Sequence, residues 1–235
     1  AAASTTYSIL DVRTNDAGTY TVILTNASGS VTSAPAILNV TPAPTYASYM
    51  EAVLTDNPIH YYPLDETDGT VANDGGSLAT VGGTYTGGFT LGRASAAGRL
   101  GTCVRFDGQP GTFVDLGLFH PGDAVTVEAW ANLDPTASHS PSFHDLVGRM
   151  DGSYVIDYAP GDIVQFAAFN DSKVMADVFG ATPSARGVWH HLVGVFSGGT
   201  ATVYVDGVKG TEQTVGGVLQ NLGCRQLRQD IHIIR

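Results

Sequence analysis

The run Val188–Trp189–His190–His191–Leu192–Val193–Gly194–Val195–Phe196, followed after Ser197–Gly198–Gly199 by Thr200–Ala201–Thr202–Val203–Tyr204–Val205–Asp206–Gly207–Val208, decides the fold of this chain. In the first half His191, Val193 and Val195 alternate with Leu192, Gly194 and Phe196. In the second, Ala201, Val203 and Val205 alternate with Thr202, Tyr204 and Asp206. A period of two marks half-buried antiparallel strands. The glycine pair turns one strand into the other, and Asp206–Gly207 supplies the positive-φ residue that a further reversal needs.

Outward from this hairpin the same pattern repeats. Strands are predicted at about 101–107, 111–116, 124–133, 144–149, 153–158, 162–169, 173–179, 188–197 and 200–208, with a first strand over 57–65. Residues 74–88 are rich in Gly and Thr and poor in charge, and read as loops. Regular short strands separated by turn residues favour a β-sandwich over an α/β fold.

Four stretches carry a family resemblance. They are the hairpin itself (Trp189–His190–His191–Leu192–Val193, then Tyr204–Val205–Asp206–Gly207), Val125–Thr126–Val127–Glu128–Ala129–Trp130, Val104–Arg105–Phe106–Asp107–Gly108 with Phe113–Val114–Asp115–Leu116, and Tyr61–Tyr62–Pro63–Leu64–Asp65–Glu66. In order and spacing, over roughly residues 56–220, they resemble laminin-G-like domains of the concanavalin A-like jelly-roll superfamily. The resemblance implies an all-β sandwich of two antiparallel sheets. It implies much less about activity, because one fold hosts many functions. Such domains usually finish in an isoleucine–aspartate–glutamate–valine strand, which is missing here. Ile231–Ile233 is the nearest substitute, inside a tail, 224–235, that suddenly carries three arginines.

The N-terminal part has a different character. Asp16–Ala17–Gly18–Thr19–Tyr20–Thr21–Val22 resembles the tyrosine corner of an immunoglobulin-like sandwich, without the usual cysteine two places on. Residues 1–41 are therefore taken as a partial immunoglobulin-like segment, 42–56 as a proline linker and short helix, and 57–235 as the jelly roll. About forty residues do not close a sandwich core alone. Their unpaired strand edges invite homodimerisation.

Composition narrows the partners. Eleven Lys and Arg stand against 22 Asp and Glu, a formal charge of −11. That opposes binding to nucleic acid phosphates and to anionic membranes. No apolar run is long enough to insert into a bilayer. The expected setting is secreted, as part of a larger extracellular protein. Cys103 and Cys224 fit either a disulfide or, respectively, a small buried hydrophobe and a thiol near the end.

Three chemistries deserve candidate residues. Retaining glycosidases need two carboxylates about 5–5.5 Å apart. Glu128 sits alone on its strand, with Asp134 next on that face and Asp157 as the candidate partner from another strand. Carbohydrate binding calls for aromatic faces beside amide and carboxylate groups. Trp130, Asn132, Tyr154, Tyr158, His144 and Asn170 are the main candidates, with Phe166, Phe169, Tyr204, His139 and Asp171 beside them. For Trp130 and Trp189 a core role is expected ahead of a platform. For a structural Ca2+, Asp65, Glu66, Asp68 and Asp74, with Asn73, crowd one turn region. Alternatively, these are turn formers bonded to their own backbone. His190 and His191, as strand neighbours, point to opposite faces and do not chelate together.

The expectation is a non-catalytic module that binds a polysaccharide, a glycan or a surface protein. Its alternative is a glycoside hydrolase using Glu128.

Overall fold

The computed structural model describes residues 6–7, 9, 12–41, 48–77, 82–95, 101–136, 144–148, 153–220 and 224–228. The chain divides into two units, residues 1–47 and 48–235.

In the first unit a single 3-10 turn, Thr14–Asp16, leads into β1 (Gly18–Tyr20) and β2 (Ile23–Asn26), then β3 (Gly29–Thr32) and β4 (Ala36–Leu38). β1 pairs with β4 and β2 with β3, all antiparallel. Tyr20 OH donates to Asp16 O at 2.6 Å, closing the corner. Ile23, Leu24, Val31 and Ile37 of these strands are all more than 60% exposed.

The second unit opens on α1 (Tyr49–Thr55), capped where Ser48 Oγ accepts from Glu51 N at 3.1 Å. The strands that follow are β5 (Val71–Ala72), β6 (Gly83–Thr86), β7 (Phe89–Ala94), β8 (Thr102–Phe106) and β9 (Phe113–Phe119). Next come β10 (Val125–Ala131), β11 (His144–Gly148), β12 (Tyr154–Ala159), β13 (Ile163–Phe169) and β14 (Met175–Phe179). The last are β15 (His190–Ser197), β16 (Thr200–Val205), β17 (Val208–Thr214) and β18 (Cys224–Arg228). Eight strands form one sheet in the order β14-β13-β12-β11-β18-β9-β6-β5, and four form another in the order β10-β15-β16-β17. β7 and β8 pair as a separate hairpin. The fold is the all-β jelly-roll sandwich expected.

Alternation places the core. Val127, Ala129, Leu192, Phe196 and Val203 of the smaller sheet face Ile156, Tyr158, Val164 and Phe166 of the larger one. Between the sheets Gly194 lies against Phe166, and a Cβ there would stand 2.3 Å from the ring. The Asp206–Gly207 turn has φ of 52° and 77°, the doubly positive geometry of a tight hairpin, so the strand predicted to reach 208 ends at 205 and β17 returns from it.

Two expectations are corrected. Residues 57–65 form no strand: Pro58 and Pro63 lack N–H donors, and Leu64 has φ of 56°. The segment still buries Tyr61, Tyr62 and Leu64. Within 74–88, β6 is a true strand, in which Gly83 lies where a Cβ would come 2.6 Å from Val114. The sheet's late strand is β18, inserted between β11 and β9. Ile231 and Ile233 lie outside the described residues, and so does the side chain of Cys224. Cys103 is buried, its Sγ 3.5 Å from Ala94 O.

Candidate functional site

The outer face of the four-stranded sheet follows from its register. On β10, Val125, Val127 and Ala129 point inward, which turns Thr126, Glu128 and Trp130 outward. Trp130 is paired with His191, and Glu128 with Val193, which in turn pairs with Tyr204. Tyr204 stands opposite Lys209. Neighbouring strands lie about 4.8 Å apart, so these side chains form a lattice several strands wide. Tyr204, His191, Glu128 and Trp130 are all half-buried, open enough to be touched from solvent.

A hydrogen-bonded cluster fixes one end of this lattice. His191 Nε2 lies 2.6 Å from Glu128 Oε1, and because a carboxylate only accepts, that nitrogen carries the proton. Tyr49 OH, from α1, donates to the same oxygen at 3.4 Å and accepts from Trp130 Nε1 at 2.8 Å. The Trp130 and His191 rings are 5.0 Å apart, and Tyr49 meets the indole edge-on at 6.3 Å. Burial pulls the His191 pKa below its ordinary value, against the opposite pull of Asp206. The imidazole acts as donor to Glu128. His190 is engaged elsewhere, with Nδ1 at 2.7 Å from Asp206 and Nε2 at 3.1 Å from Ala185 O.

The outer face of the larger sheet is built otherwise. Asp145 pairs with Asp157, and Asp157 with Gln165. Asp157 is fully buried, and neither carboxylate oxygen has a hydrogen-bond partner among the described residues. Gln165 donates its amide to Asp177, leaving its own carbonyl oxygen without a partner. Burial first, then the charges of Asp145 and Asp177, push the Asp157 pKa up to about 8. Glu128 is flanked by inward-facing Val127 and Ala129, and Asp157 by inward-facing Ile156 and Tyr158. The two carboxylates therefore stand on opposite outer faces of the sandwich, and the pair anticipated for glycosidic cleavage is not assembled. Asp134 accepts from Thr136 N at 2.7 Å and from Arg105.

The remaining candidates scatter. Tyr154 and Tyr158 are core side chains, 2% and 0% exposed, as is Phe166. Their rings offer no face to a ligand on the outer surface of either sheet. Asn170 is buried and its amide is spent inside the molecule: Nδ2 donates to Val215 O and Gly216 O, and Oδ1 accepts from Ser172 N and Val174 N. His144 is 9% exposed, paired across the strands with inward-facing Tyr158. Asn132 is half-buried just past β10; Phe169 and Trp189 are half-buried, and Asp171 is exposed. His139 lies outside the described residues.

The acidic turn is already occupied by protein donors. Glu66 Oε1 accepts from Asn73 N at 2.6 Å and Oε2 from Tyr85 OH at 2.7 Å. Asp74 Oδ1 accepts from Tyr61 N and Gly76 N, and Oδ2 lies 2.6 Å from His60 Nδ1. Asp65 and Asp68 are exposed. Among the described residues no three carboxylate, imidazole or thiol side chains stand together in a group able to hold a metal ion. Asp74 bonds the backbone two residues on, as a turn former does.

Tyr49 and His191 are the site residues that sequence patterning missed. Each pattern showed a helix or a strand, and nothing local linked either side chain to Glu128.

No helix among the described residues is long and apolar enough to cross a membrane. A scan against curated proteins found no match. Among solved structures, the chain is similar to the binding domain of Paraclostridial Mosquitocidal Protein 1, with a TM-score of 0.60 at 12% identity over 77% of this chain and 48% of that one. It is similar to domain 4 of AbnA, an extracellular GH43 arabinanase from Geobacillus stearothermophilus solved with arabinotriose: TM-score 0.52, 17% identity, 74% of this chain and 89% of that one. Trypanosoma rangeli sialidase gives a TM-score of 0.51 at 14% identity, over 76% of this chain and 30% of the enzyme. The chain thus spans about half the length of the toxin domain and less of the sialidase. The model of the family Laminin_G_3, described as the concanavalin A-like lectin/glucanases superfamily, matches residues 106–227. With the sandwich and its register in place, that match over half of the sequence makes the chain a member of the Laminin_G_3 family of concanavalin A-like lectin/glucanase domains.

Proposed function

We propose that residues 48–235 form a glycan-recognition module of a secreted protein, and that the outer face of the four-stranded sheet is its binding surface. The observation that carries this reading is the Trp130–His191–Glu128–Tyr49 cluster. It offers ring faces and a carboxylate already held in place, at a surface solvent can reach. Sugar rings stack their C–H faces on aromatics while hydroxyls donate to fixed acceptors. Pre-ordering the acceptor lowers the entropic cost of binding. The arabinanase domain gives an instance of this fold solved with an oligosaccharide. We read the first unit as a portion of an immunoglobulin-like sandwich, on the strength of its tyrosine corner.

Retention on a panel of insoluble polysaccharides tests the reading. Wild-type protein is expected to be held on at least one of them without releasing reducing sugar. Trp130→Ala should weaken that retention by about tenfold, the loss of roughly 1.4 kcal/mol. Unchanged retention by Trp130→Ala and Tyr204→Ala alike would reject this face. Reducing-sugar release that disappears in Glu128→Gln would establish hydrolysis instead, with a second carboxylate other than Asp157.

A further inference from the structure

β10 is an edge strand, and beneath that edge the sandwich opens into a cavity of about 360 Å³. Val127, on the inner side of β10, Leu116, Val147 and Tyr154 of the larger sheet, and Val53 of α1 are among its lining residues. All five are at most 8% exposed. The cavity continues around the strand edge to the outward side chains Thr126 and Glu128. Glu128 and Asp56 are the carboxylates among its described lining residues, the Glu128 side chain 24% exposed and Asp56 exposed, and the imidazole there is His60, whose Nδ1 lies 2.6 Å from Asp74 Oδ2. Among the described residues, no lysine or arginine lines it.

Size and charge together define the occupant. An apolar cavity of about 150 Å³ takes up one benzene ring, so this one has room for roughly a dozen heavy atoms. It falls at the lower end of the range for small-molecule pockets. Walls of Val, Leu and Tyr gain dispersion contacts only from an apolar body. The carboxylates at the open end repel an anionic head group and attract a cationic one. We propose that the cavity under β10 binds an organic ammonium, an apolar body of about that size ending in a protonated amine directed at Glu128 and Asp56. This site is separate from the sheet face assigned to glycans, although Glu128 borders both, and its standing does not depend on that assignment.

Phenylbutylamine and phenylbutyrate make a matched pair of probes, alike in body and opposite in charge. In calorimetric titration of the full chain near pH 7, the amine should bind with 1:1 stoichiometry and at least tenfold more tightly than the carboxylate. It should also raise the melting temperature in proportion to occupancy. Val147→Phe, which fills the cavity, should weaken amine binding at least tenfold while leaving retention on polysaccharide unchanged. Ala124→Phe, at an exposed lining position, provides the same block without touching the core, should Val147→Phe fail to fold. Equal binding of the two probes, no binding of either, or an undiminished amine affinity in the filled variants would overturn the proposal. Loss of polysaccharide retention in Trp130→Ala with amine binding intact would bear on the glycan face alone.

Discussion

Two carboxylates, Glu128 and Asp157, sit mid-strand on the two outer faces of one sandwich, and they are treated in opposite ways. Glu128 is a quarter exposed and receives hydrogen bonds from His191 and Tyr49. Asp157 is fully buried beside Asp145 and Gln165 and receives none among the described residues. A charge with donors and partial hydration is cheap to keep, whereas one without either is expensive and prefers its neutral form. The first arrangement leaves a carboxylate ready to accept from a ligand. The second produces a carboxyl group whose proton is part of the folded state.

The largest effect expected from this contrast is on stability. Unfolded, Asp157 titrates near its ordinary 3.8; folded, it titrates near 8. Between those values the folded state holds a proton that the unfolded state has released. Stability is therefore fully present below about pH 4 and falls as pH rises through 8, by up to about 1.4 kcal/mol per pH unit. Asp157→Asn removes the titration and places an amide donor beside the unpartnered Gln165 oxygen. The variant should gain several kcal/mol over the wild type at pH 8 and almost nothing at pH 4. Urea unfolding across that range measures it, and parallel wild-type and variant profiles would mean that Asp157 is not the buried group the fold implies.

That contrast also marks what the sequence could disclose. Alternation in His191–Phe196 and Thr200–Val205 was enough to give strands, the hairpin, and which side chains share a face. Asp206–Gly207 was legible as a turn because its backbone geometry demands particular residues. The residues 57–65 misled because aromatic and apolar content looks like a strand, while Pro58, Pro63 and the φ of Leu64 prevent one. Glu128 and Trp130 were legible as candidates from their own strand. Their partners were not, since His191 is 63 positions from Glu128 and Tyr49 is 81 from Trp130, brought together only by strand order and helix packing. Asn170 illustrates the opposite error: an amide in a turn looks available to a ligand until its four backbone partners are seen.

Intermediate in size is the effect of removing the aromatic from the solvated face. Trp130→Ala deletes a half-buried indole, its hydrogen bond to Tyr49 and its contact with His191. A loss of about 2–3 kcal/mol is expected, somewhat less than for a fully buried tryptophan. The polysaccharide assay on the same variant should be run where it remains folded. A stability cost near zero would mean that the indole is held by neither partner, and the two faces would then differ less than their geometry indicates.

The smallest effect probes how the carboxylate on that face is held. Tyr49→Phe removes the hydroxyl that accepts from Trp130 Nε1 and donates to Glu128, while keeping the ring edge on the indole. Both abandoned groups are half-buried, so water can take over, and the cost should be only about 0.5–1 kcal/mol. Glu128 also keeps His191, its shorter contact at 2.6 Å. If Tyr49 orders the acceptor, glycan affinity should fall by a fewfold, with the loss absent in a Glu128→Gln background. A loss equally large in both backgrounds would show that α1 positions Trp130 and leaves Glu128 to His191.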